Sequence, residues 1–538
     1  MTADAVHFGT DGWRAIIDED FNLSTVVQVA DAAARAFWAR VTAGLDAGGA
    51  PAVAAQLAAL AASPLPAPSA DFRPEIHAPV IYIGYDCRRD AGRDAAVAGF
   101  VLQKHGFDVR LSDRYCPTPA LCWTIARDEW AIGGLMLTSS HNPAEWLGIK
   151  LRMADGGASP ASFTNEVEAL LEEADPTLLQ GAELTFGAAA NGTPQAPVTR
   201  IGFPGTLTLV DLMTPYLADL ASLVDAPTIA AAGLRVVLDP MYGAGRGYLA
   251  GVLHSLGVTV AEVHGQTDPS FAGLHPEPIL PWVQGGADKV VELGFDACFV
   301  TDGDADRIGA IDEHGRYITS HIILTLLIGH LVESKGLRGR VVRTMAGSNL
   351  LRRQCQRLDL ELVTKPIGFK WIYEEMLAGD VLIGGEESGG IGIPAHVRER
   401  DGLLMALLLC ELMATKRQTL GQLADEVLVL LGNLDYARRD LRLTPEQKQR
   451  FLVEHTQTDQ MPGENISLLS QYSGLFAPLG EQLVGVSRID GIKFELASDA
   501  WLLVRPSGTE PLVRVYAEAG SRQQVEQLLD VGCALAEG

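Results

Sequence analysis

The chain repeats one arrangement several times: a short apolar run rich in β-branched residues, a turn of glycine or polar residues, and then a helical stretch. The run 80–85 precedes a helical pattern over 91–105, and the runs 132–137, 297–301 and 381–383 each end in a polar loop. Strands that alternate with helices form α/β units with mostly parallel pairing. We therefore expect open α/β sheets, whose ligands bind at the carboxyl ends of the strands.

The length of the chain and its change of pattern near the C-terminus suggest several domains. At roughly 100–200 residues per domain, 538 residues make three to five domains. The alternating pattern occurs in three successive blocks, whereas the last hundred residues combine a helical stretch at 445–455 with closely spaced strands from 492 to 517, as in an α+β domain. The expected domains are 1–211, 212–316, 317–430 and 431–538.

Segment 43–78 differs in composition from the rest of the first domain. It is rich in alanine, proline, glycine and serine. Such segments form loops rather than packed cores. We expect a surface insertion with one short helix and no chemistry of its own.

A serine loop follows the apolar run 132–137. Residues 138–143 read Thr-Ser-Ser-His-Asn-Pro, so Ser140 lies at the carboxyl end of a predicted strand. A serine there can act as a nucleophile or carry a phosphate, and His141 and Lys150 are close enough in sequence to handle a proton or an anion. The alternative is a polar turn that merely ends the strand.

An acidic loop at 302–307, Asp-Gly-Asp-Ala-Asp-Arg, follows the apolar run 297–301. Its alternating carboxylates can converge on a hard cation such as Mg²⁺ and still leave positions for a phosphate oxygen. One alternative is a solvated acidic turn. Another is an EF-hand, since Glu313 stands at position 12, but Arg307 occupies the position of the usual glycine and the preceding segment is strand-like. The predicted ligands are Asp302, Asp304 and Asp306.

A third loop, 385–390, reads Gly-Glu-Glu-Ser-Gly-Gly and again follows an apolar run. Its glycines let the backbone bend closely around a ligand. Carboxylates and a hydroxyl suit a sugar, because they pair with its hydroxyl groups. A structural turn would need the glycines but not the Glu-Glu-Ser between them.

A fourth loop, 505–511, reads Arg-Pro-Ser-Gly-Thr-Glu-Pro, with Arg514 shortly after it. Arginine, two hydroxyls and glycine-backed amides are the parts of a phosphate cradle. The alternative is a hairpin turn with ordinary surface arginines. The density of anion-binding groups favours the cradle.

Composition limits the classes of partner and compartment. The net charge of −25 argues against nucleic acid, which needs a basic face, but a few arginines and a metal ion can still bind a small anion. No apolar run approaches the roughly 18 residues needed to span a bilayer, and the N-terminus has no signal-peptide pattern. The seven cysteines are scattered, without a Cys-x-x-Cys pair. We therefore expect a cytoplasmic protein without membrane or nucleic-acid partners.

Taken together, these loops resemble those of the α-D-phosphohexomutase family, which includes phosphoglucomutases and phosphomannomutases. Residues 8–14, Phe-Gly-Thr-Asp-Gly-Trp-Arg, are similar to the family's opening, and 368–370, Gly-Phe-Lys, are similar to a loop of its third domain. The resemblance covers nearly the whole chain. It implies an α/β fold of four domains around a central cleft, with three related mixed α/β sheet domains and a C-terminal α+β domain.

The resemblance also implies roles for individual residues. Ser140 would carry the phosphate and contribute a further metal ligand beside the three aspartates. The catalytic residues near the transferring group would be Ser140, His141, Lys150 and Arg14. The substrate-binding residues would be Arg307, Gly368, Lys370, Glu386, Ser388, Arg400, Arg505, Ser507, Gly508, Thr509 and Arg514.

Two positions depart from the family pattern. Many bacterial members have histidine where this chain has Gly390, and members similar to the glucose enzymes often have lysine where this chain has Arg400. A guanidinium stays charged and is a poor base, so Arg400 is expected to bind phosphate. The identity of the general base is therefore left open.

The expected activity is reversible phosphoryl transfer on hexose phosphates, from glucose 1-phosphate to glucose 6-phosphate, with mannose phosphates as a second substrate. The expected cofactors are Mg²⁺ and glucose 1,6-bisphosphate, and the expected assembly is a monomer or homodimer. Three alternatives remain: a phosphoglucosamine mutase, a phosphoserine-based hydrolase, and a non-catalytic sugar-phosphate binding protein.

Overall fold

The structure, a computed structural model, describes residues 6–9, 11–43, 78–171, 178, 187–188, 194–195, 205–456, 464–507 and 512–538. The chain divides into two compact units. The first unit is Met1–Ile318 with Gly390–Gly421, and the second is Thr319–Gly389 with Gln422–Gly538. The segment 43–78, expected to be a surface insertion, lies outside the described residues apart from its two end residues.

Within the described residues, the first unit contains a mixed sheet of six strands. Its second strand runs antiparallel to both neighbours, and the other pairs are parallel. The strand order is Trp13–Ile16, Trp146–Met153, Ala131–Leu137, Val80–Tyr85, Asp108–Ser112 and Thr206–Val210. The predicted strands at 80–85 and 132–137 are therefore confirmed as central strands.

Helices bury this sheet. Leu23–Ala43 packs against Ala91–Lys104 and Ala161–Leu171, and the ring centres of Phe37 and Phe163 lie 4.7 Å apart. Both central strands are buried along their whole length, as expected for parallel strands covered on their faces. The helices of this part are Leu23–Ala43, Ala91–Lys104, Thr118–Ile125 and Ala161–Leu171.

A second sheet of the first unit joins parallel strands to antiparallel ones. Its order is Thr259–Glu262, Arg235–Asp239, Ala297–Thr301, Ile308–Asp312 and Tyr317–Ile318, and the first three strands are parallel. Ala297–Thr301 and Ile308–Asp312 pair antiparallel, so residues 302–307 form a hairpin turn between two buried strands. The sequence pattern did not predict this antiparallel pairing, because it identified Ala297–Thr301 but not its partner.

Further helices and short strands complete the described part of the first unit. The apolar helix Gly402–Lys416 is almost wholly buried and packs against the hairpin strands, which explains why it is apolar on every side. The other helices are Met213–Ser222, Ala226–Ala232, Tyr248–Ser255, Gln284–Leu293 and the short 3₁₀ helix Phe271–Gly273. The short strands are Gly187–Ala188, Pro194–Gln195 and Ile391–Gly392.

The second unit begins with a parallel α/β layer. The strand Arg340–Thr344 lies between Leu362–Lys365 and Val381–Gly385 and is parallel to both. The helices are Ser320–Gly329, which continues as a π-helix over His330–Ser334, then Asn349–Leu358, Phe369–Ala378 and Leu420–Leu431. The predicted strand at 381–383 is confirmed.

The C-terminal part of the second unit is an antiparallel sheet covered by helices. The strand order is Asp435–Arg442, Leu512–Ala519, Trp501–Pro506, Ile492–Leu496 and Leu483–Ser487. Its helices are Pro445–His455, Glu464–Phe476, Arg522–Glu537 and the 3₁₀ turn Ala477–Leu479. Val513, Val515 and Ala517 join the core beneath Arg522–Glu537, so the residues between them face the opposite side.

None of the helices in the described part of the chain has both the length and the apolar character that a membrane crossing requires.

Candidate active site

Ser140 lies in a tight turn after the strand Ala131–Leu137. Its backbone is left-handed, with φ of 49°, a conformation that residues other than glycine seldom adopt. The Ser140 N–H donates to Thr138 Oγ1 at 2.8 Å, and Thr138 Oγ1 donates to Asp86 Oδ2 at 2.7 Å. This turn directs Ser140 Oγ toward the second sheet, where it donates to Asp302 Oδ2 at 2.7 Å. The structure thus brings the serine and acidic loops together.

The hairpin turn 302–307 buries its three carboxylates completely. One oxygen from each of Asp302, Asp304 and Asp306 lies within 4.8 Å of the others. Asp302 Oδ1 accepts from the Arg307 N–H, and Asp304 Oδ2 accepts from Thr118 Oγ1 at 2.5 Å. Among the described residues, Asp304 Oδ1 and Asp306 Oδ1 have no hydrogen-bond donor.

These oxygens fit a hard divalent cation. Burial, together with the charges of Asp306 and Asp304, raises the pKa of Asp302 well above its ordinary value. A cation would relieve this repulsion and satisfy the carboxylate oxygens that lack donors. Carboxylate ligands that leave room for further oxygens suit Mg²⁺.

Lys150 supplies positive charge to the same carboxylates. Its Nζ lies 2.8 Å from Asp304 Oδ2, 3.0 Å from Asp306 Oδ2 and 2.9 Å from Asp11 Oδ2. Lys150 is 1% exposed. Burial disfavours its charged form, but the three carboxylates outweigh burial and raise the pKa of Lys150 above its ordinary value. The side chain is therefore an ammonium and a hydrogen-bond donor.

His141 and Arg14 also lie close to the serine loop. His141 Nδ1 is 3.5 Å from Ser140 Oγ. Burial, with the positive charges of Arg307 and Arg14, lowers the pKa of His141 well below its ordinary value. The imidazole is therefore neutral at physiological pH. Arg14 Nη1 donates to Asn142 Oδ1 at 2.7 Å, which places its guanidinium on the serine loop.

Arg400 lies among carboxylates. Its Nη2 is 2.6 Å from Asp11 Oδ2 and 2.7 Å from Asp306 Oδ2, and its Nε is 3.1 Å from Glu399 Oε1. Arg307 Nε lies 3.9 Å from both Asp302 Oδ2 and Asp306 Oδ1. Arg400 thus neutralises the acidic cluster in this structure, while phosphate binding by Arg400 and Arg307 remains a prediction.

The second unit carries the predicted sugar loop at the end of the strand Val381–Gly385. Glu386 is buried, and its carbonyl accepts from the N–H of Gly389 at 3.2 Å. Glu387 fastens the loop, since its Oε2 accepts from Thr344 Oγ1 at 2.9 Å. Ser388, beside it, is half-buried. Glu386 and Ser388 therefore lie on one short turn, as predicted.

Two arginines on neighbouring strands flank the predicted phosphate loop. Arg505 and Arg514 are directly opposite each other, and Arg505 Nε donates to Asp490 Oδ1 at 2.8 Å and Oδ2 at 2.9 Å. Ser507 is buried, and its N–H donates to Leu512 O at 2.9 Å. Gly508 and Thr509, also predicted to bind phosphate, lie outside the described residues.

Asp490 also connects this loop to the predicted Gly368–Lys370 site. Its Oδ2 accepts from the Ile367 N–H at 2.8 Å, directly before Gly368. Gly368 has φ of 126°, which favours glycine there, and Lys370 follows in the first turn of the helix Phe369–Ala378. The structure therefore joins two predicted groups of the second unit through one carboxylate.

Several residues at these sites were not predicted. Asp86 and Arg88 directly follow the strand Val80–Tyr85, so the strand-end rule used for the other loops would have found them. Asp11 belongs to the opening motif but was given no role. Thr118 had no signal in the sequence, because only the fold brings it to Asp304.

Models of protein families match the chain in four successive stretches. Three models are described as phosphoglucomutase/phosphomannomutase alpha/beta/alpha domains I, II and III, and they match residues 50–177, 214–315 and 319–430. A fourth, the C-terminal domain of the same family, matches residues 470–531. The predicted domain boundaries themselves remain predictions.

Individual proteins match over most of their length. A phosphoglucomutase/phosphomannomutase from Thermococcus kodakarensis is 30% identical over 85% of this chain and 90% of its own. A phosphoglucosamine mutase from Carboxydothermus hydrogenoformans is 28% identical over 83% and 89%. The crystal structure of a candidate phosphomannomutase from Thermus thermophilus has a TM-score of 0.75 and 30% identity, covering 99% of each chain.

Replacement of Lys150 tests the charge balance of this site. Lys150→Met should lower the free energy of unfolding by about 3–5 kcal/mol, because it leaves buried carboxylates without their cation. Urea denaturation measures the change, and added Mg²⁺ should recover part of the loss. The matched control is Lys289→Met, since Lys289 pairs with Glu292 at the surface and should contribute less than about 0.5 kcal/mol. Equal effects in the two variants would contradict this account.

Proposed function

Because this chain belongs to the phosphoglucomutase/phosphomannomutase family of isomerases, we propose that it interconverts glucose 1-phosphate and glucose 6-phosphate, with mannose phosphates as a second substrate. It has the four domains of that family, with mixed α/β sheets, as the sequence predicted. The reaction we propose passes through phosphorylated Ser140. The observation that carries the proposal is the 2.7 Å contact between Ser140 Oγ and Asp302 in the acidic site.

Ser140 is the proposed donor in the first transfer. The bond between phosphorus and Ser140 Oγ breaks and a bond forms between phosphorus and the free hydroxyl of the hexose monophosphate. That hydroxyl loses its proton, and Ser140 Oγ gains a proton as it leaves, which returns the serine hydroxyl. His141 is the proposed acceptor of the proton at Nδ1, since Nδ1 lies 3.5 Å from Ser140 Oγ. Lys150 and Arg14 place positive charge around the transferring group.

Asp302, Asp304 and Asp306 are the proposed Mg²⁺ ligands, with an oxygen of phosphorylated Ser140 beside them. Bound Mg²⁺ would neutralise part of the charge on the transferring phosphoryl group. Lys150 and Arg400 hold the outer oxygens of Asp304 and Asp306 through ionic hydrogen bonds. These contacts keep the carboxylates oriented, so little reorganisation is needed during transfer.

The second transfer is the reverse of the first. The 1,6-bisphosphate formed by the first transfer reorients in the site, so that its other phosphate faces Ser140. That phosphate passes to Ser140 Oγ, and the sugar oxygen that carried it receives a proton. The product is the isomeric monophosphate, and Ser140 is phosphorylated again. Glucose 1,6-bisphosphate would therefore act both as intermediate and as activator.

The remaining predicted residues are proposed to bind the parts of the substrate that do not react. Carboxylate and hydroxyl groups of the sugar loop pair with sugar hydroxyls, and the arginines bind the non-reacting phosphate in charge-assisted hydrogen bonds. The proposed substrate-binding residues are Arg307, Gly368, Lys370, Glu386, Ser388, Arg400, Arg505, Ser507, Gly508, Thr509 and Arg514. The cytoplasmic location and a monomeric or dimeric state also remain proposals.

Glucosamine phosphate is the main alternative substrate. Relatives named phosphoglucosamine mutase match this chain about as well as those named for glucose or mannose. Gly390, which replaces the histidine of many bacterial members, is the feature that favours glucose. The choice of sugar depends on few contacts at C2, so it is decided by assay.

The first experiment ranks the sugars. Purified protein with Mg²⁺ and glucose 1,6-bisphosphate receives glucose 1-phosphate, mannose 1-phosphate or glucosamine 1-phosphate, and formation of each 6-phosphate is measured. We expect the fastest turnover with glucose 1-phosphate and its loss on addition of EDTA. Faster turnover of glucosamine 1-phosphate would favour that alternative, and release of inorganic phosphate would favour a hydrolase. If none of the three sugar phosphates is converted and the protein takes up no phosphate, the result would favour a non-catalytic binding protein.

Ser140→Ala should abolish turnover, because it removes the group that carries the phosphate. We expect kcat to fall by roughly 10³-fold or more. Ser139→Ala is the matched control, since Ser139 Oγ is buried without a hydrogen-bond partner among the described residues. That variant should keep turnover within about twofold of the wild type. Near-normal turnover in Ser140→Ala would refute the mechanism, and loss confined to Ser139→Ala would move the phosphate to the neighbouring serine.

Arg505→Ala should mainly weaken substrate binding. We expect KM to rise by about 10- to 100-fold with a smaller change in kcat, because the non-reacting phosphate loses a charge-assisted hydrogen bond. Arg439→Ala is the control, since Arg439 is in the same sheet but pairs with Asp530 and Glu526 of the last helix, each at 2.7 Å. Unchanged KM in Arg505→Ala, or an equal rise in both variants, would contradict the assignment.

A further inference from the structure

We propose that Arg88 is a positioning residue that holds the turn around Ser140 in its reactive conformation. The inference rests on the proposed function, because it assumes that Ser140 carries the transferring phosphate. Arg88 makes no contact with the three aspartates of the acidic turn through a hydrogen bond that the structure describes. Its hydrogen bonds therefore act through the backbone of the serine loop, while its charge also interacts with Asp304 and Asp302. A lysine at position 88 keeps that charge, so the hydrogen-bond geometry is what Arg88→Lys removes.

The guanidinium of Arg88 binds the carbonyl of Ser140 and three carbonyls that follow it in the serine loop. Nη2 donates to carbonyls within the turn, Nη1 donates to carbonyls after it, and Nε donates to the carboxylate of Asp86, which follows the neighbouring strand. The acceptors are Ser140 O at 2.7 Å, Asn142 O at 2.7 Å, Pro143 O at 2.6 Å, Trp146 O at 3.0 Å and Asp86 Oδ2 at 3.1 Å.

This arrangement depends on the geometry of arginine. A guanidinium presents five N–H donors in one rigid plane, whereas a lysine ammonium presents three donors at a single point. Arg88 is 3% exposed, and its guanidinium lies 4.9 Å from the ring centre of Phe271. Because water does not reach it, the four carbonyls and Asp86 provide its polar partners, and loss of any of them would leave a buried donor unsatisfied.

The bonded carbonyls explain how Ser140 keeps an unfavourable backbone conformation. A serine with φ of 49° is strained relative to an extended or helical backbone, so its surroundings must hold it there. Arg88 binds the Ser140 carbonyl from one side, and Thr138 accepts from the Ser140 N–H on the other. Asp86 accepts from both Arg88 and Thr138, so one carboxylate aligns both contacts.

The acidic turn packs directly on this contact. A Cβ added to Gly303 would lie 2.3 Å from the Ser140 carbonyl oxygen and 3.4 Å from Arg88 Nη2. Glycine is therefore required where the hairpin touches the bonded carbonyl. A change in the Ser140 turn would therefore disturb the packing of its carbonyl on the turn that carries Asp302, and with it the 2.7 Å contact between Ser140 Oγ and that residue.

The test compares Arg88→Lys with Arg89→Lys in the full-length protein. Arg89 is next in the chain, but its side chain is 52% exposed and pairs with Asp18. Radiolabelled glucose 1,6-bisphosphate measures the rate of phosphoryl transfer to Ser140, and steady-state assays give kcat and KM. Hydrogen exchange measures the protection of the amides in 138–146.

In Arg88→Lys we expect phosphoryl transfer and kcat to fall by about 10- to 100-fold with KM nearly unchanged, because a displaced nucleophile loses its alignment while substrate contacts persist. Amides in 138–146 should exchange faster, and Arg89→Lys should match the wild type in every measurement. Asp86→Asn keeps the size of the side chain but weakens the hydrogen bonds that align Arg88 and Thr138. It should show smaller falls in phosphoryl transfer and kcat and a smaller increase in amide exchange. It serves as the second variant if Arg88→Lys fails to fold.

Two results would overturn the inference while leaving the proposed function intact: normal transfer in Arg88→Lys despite faster exchange, or a rise in KM without a fall in kcat. A wild-type protein that takes up no label on Ser140 would instead overturn the proposed function, and this inference with it. The label on the wild type therefore separates the two failures before any variant is compared.

Discussion

The packing of three buried carboxylates against one serine is the interaction on which the proposed active site of the first unit depends. Removing Asp302, Asp304 and Asp306 from water costs several kcal/mol for each uncompensated charge. Lys150 and Arg400 compensate the outer oxygens, and the oxygens that lack donors suit a divalent cation. Since Ser140 follows a strand of one sheet and the aspartates form a hairpin of the other, this cluster also joins the two sheets of the unit.

The second unit holds cationic side chains at the loop where we propose that a phosphate binds. Asp490 binds Arg505 through both carboxylate oxygens and also accepts from the backbone before Gly368. One carboxylate thus orients an arginine on the C-terminal sheet and a loop of the parallel layer. A protein with a net charge of −25 can bind a sugar phosphate in this way, because local clusters rather than net charge set the potential at a site.

The strand-end rule predicted more of the molecule than composition did. Ser140, Asp302 and Glu386 were identified because each follows a short apolar run, and the structure places each at the end of a buried strand. The strand Trp146–Met153 was missed because Lys150 and Arg152 interrupt its apolar pattern. Both side chains are nevertheless buried, and ion pairs compensate their charges. The antiparallel partner Ile308–Asp312 was missed for a different reason: no helix separates it from the strand before it.

The sequence by itself determined the family, the α/β class, and the strand-end loops with the residue types within them, because these follow from local pattern and motif spacing. Only the tertiary structure decided which of those loops meet. Thr118 and Arg400 reach the acidic turn from distant parts of the chain, and Asp11 reaches Lys150, which binds the same turn. Arg88 reaches the carbonyls around Ser140. The physical reason is that a buried charge selects its partners by position in space, which separation along the chain does not reveal.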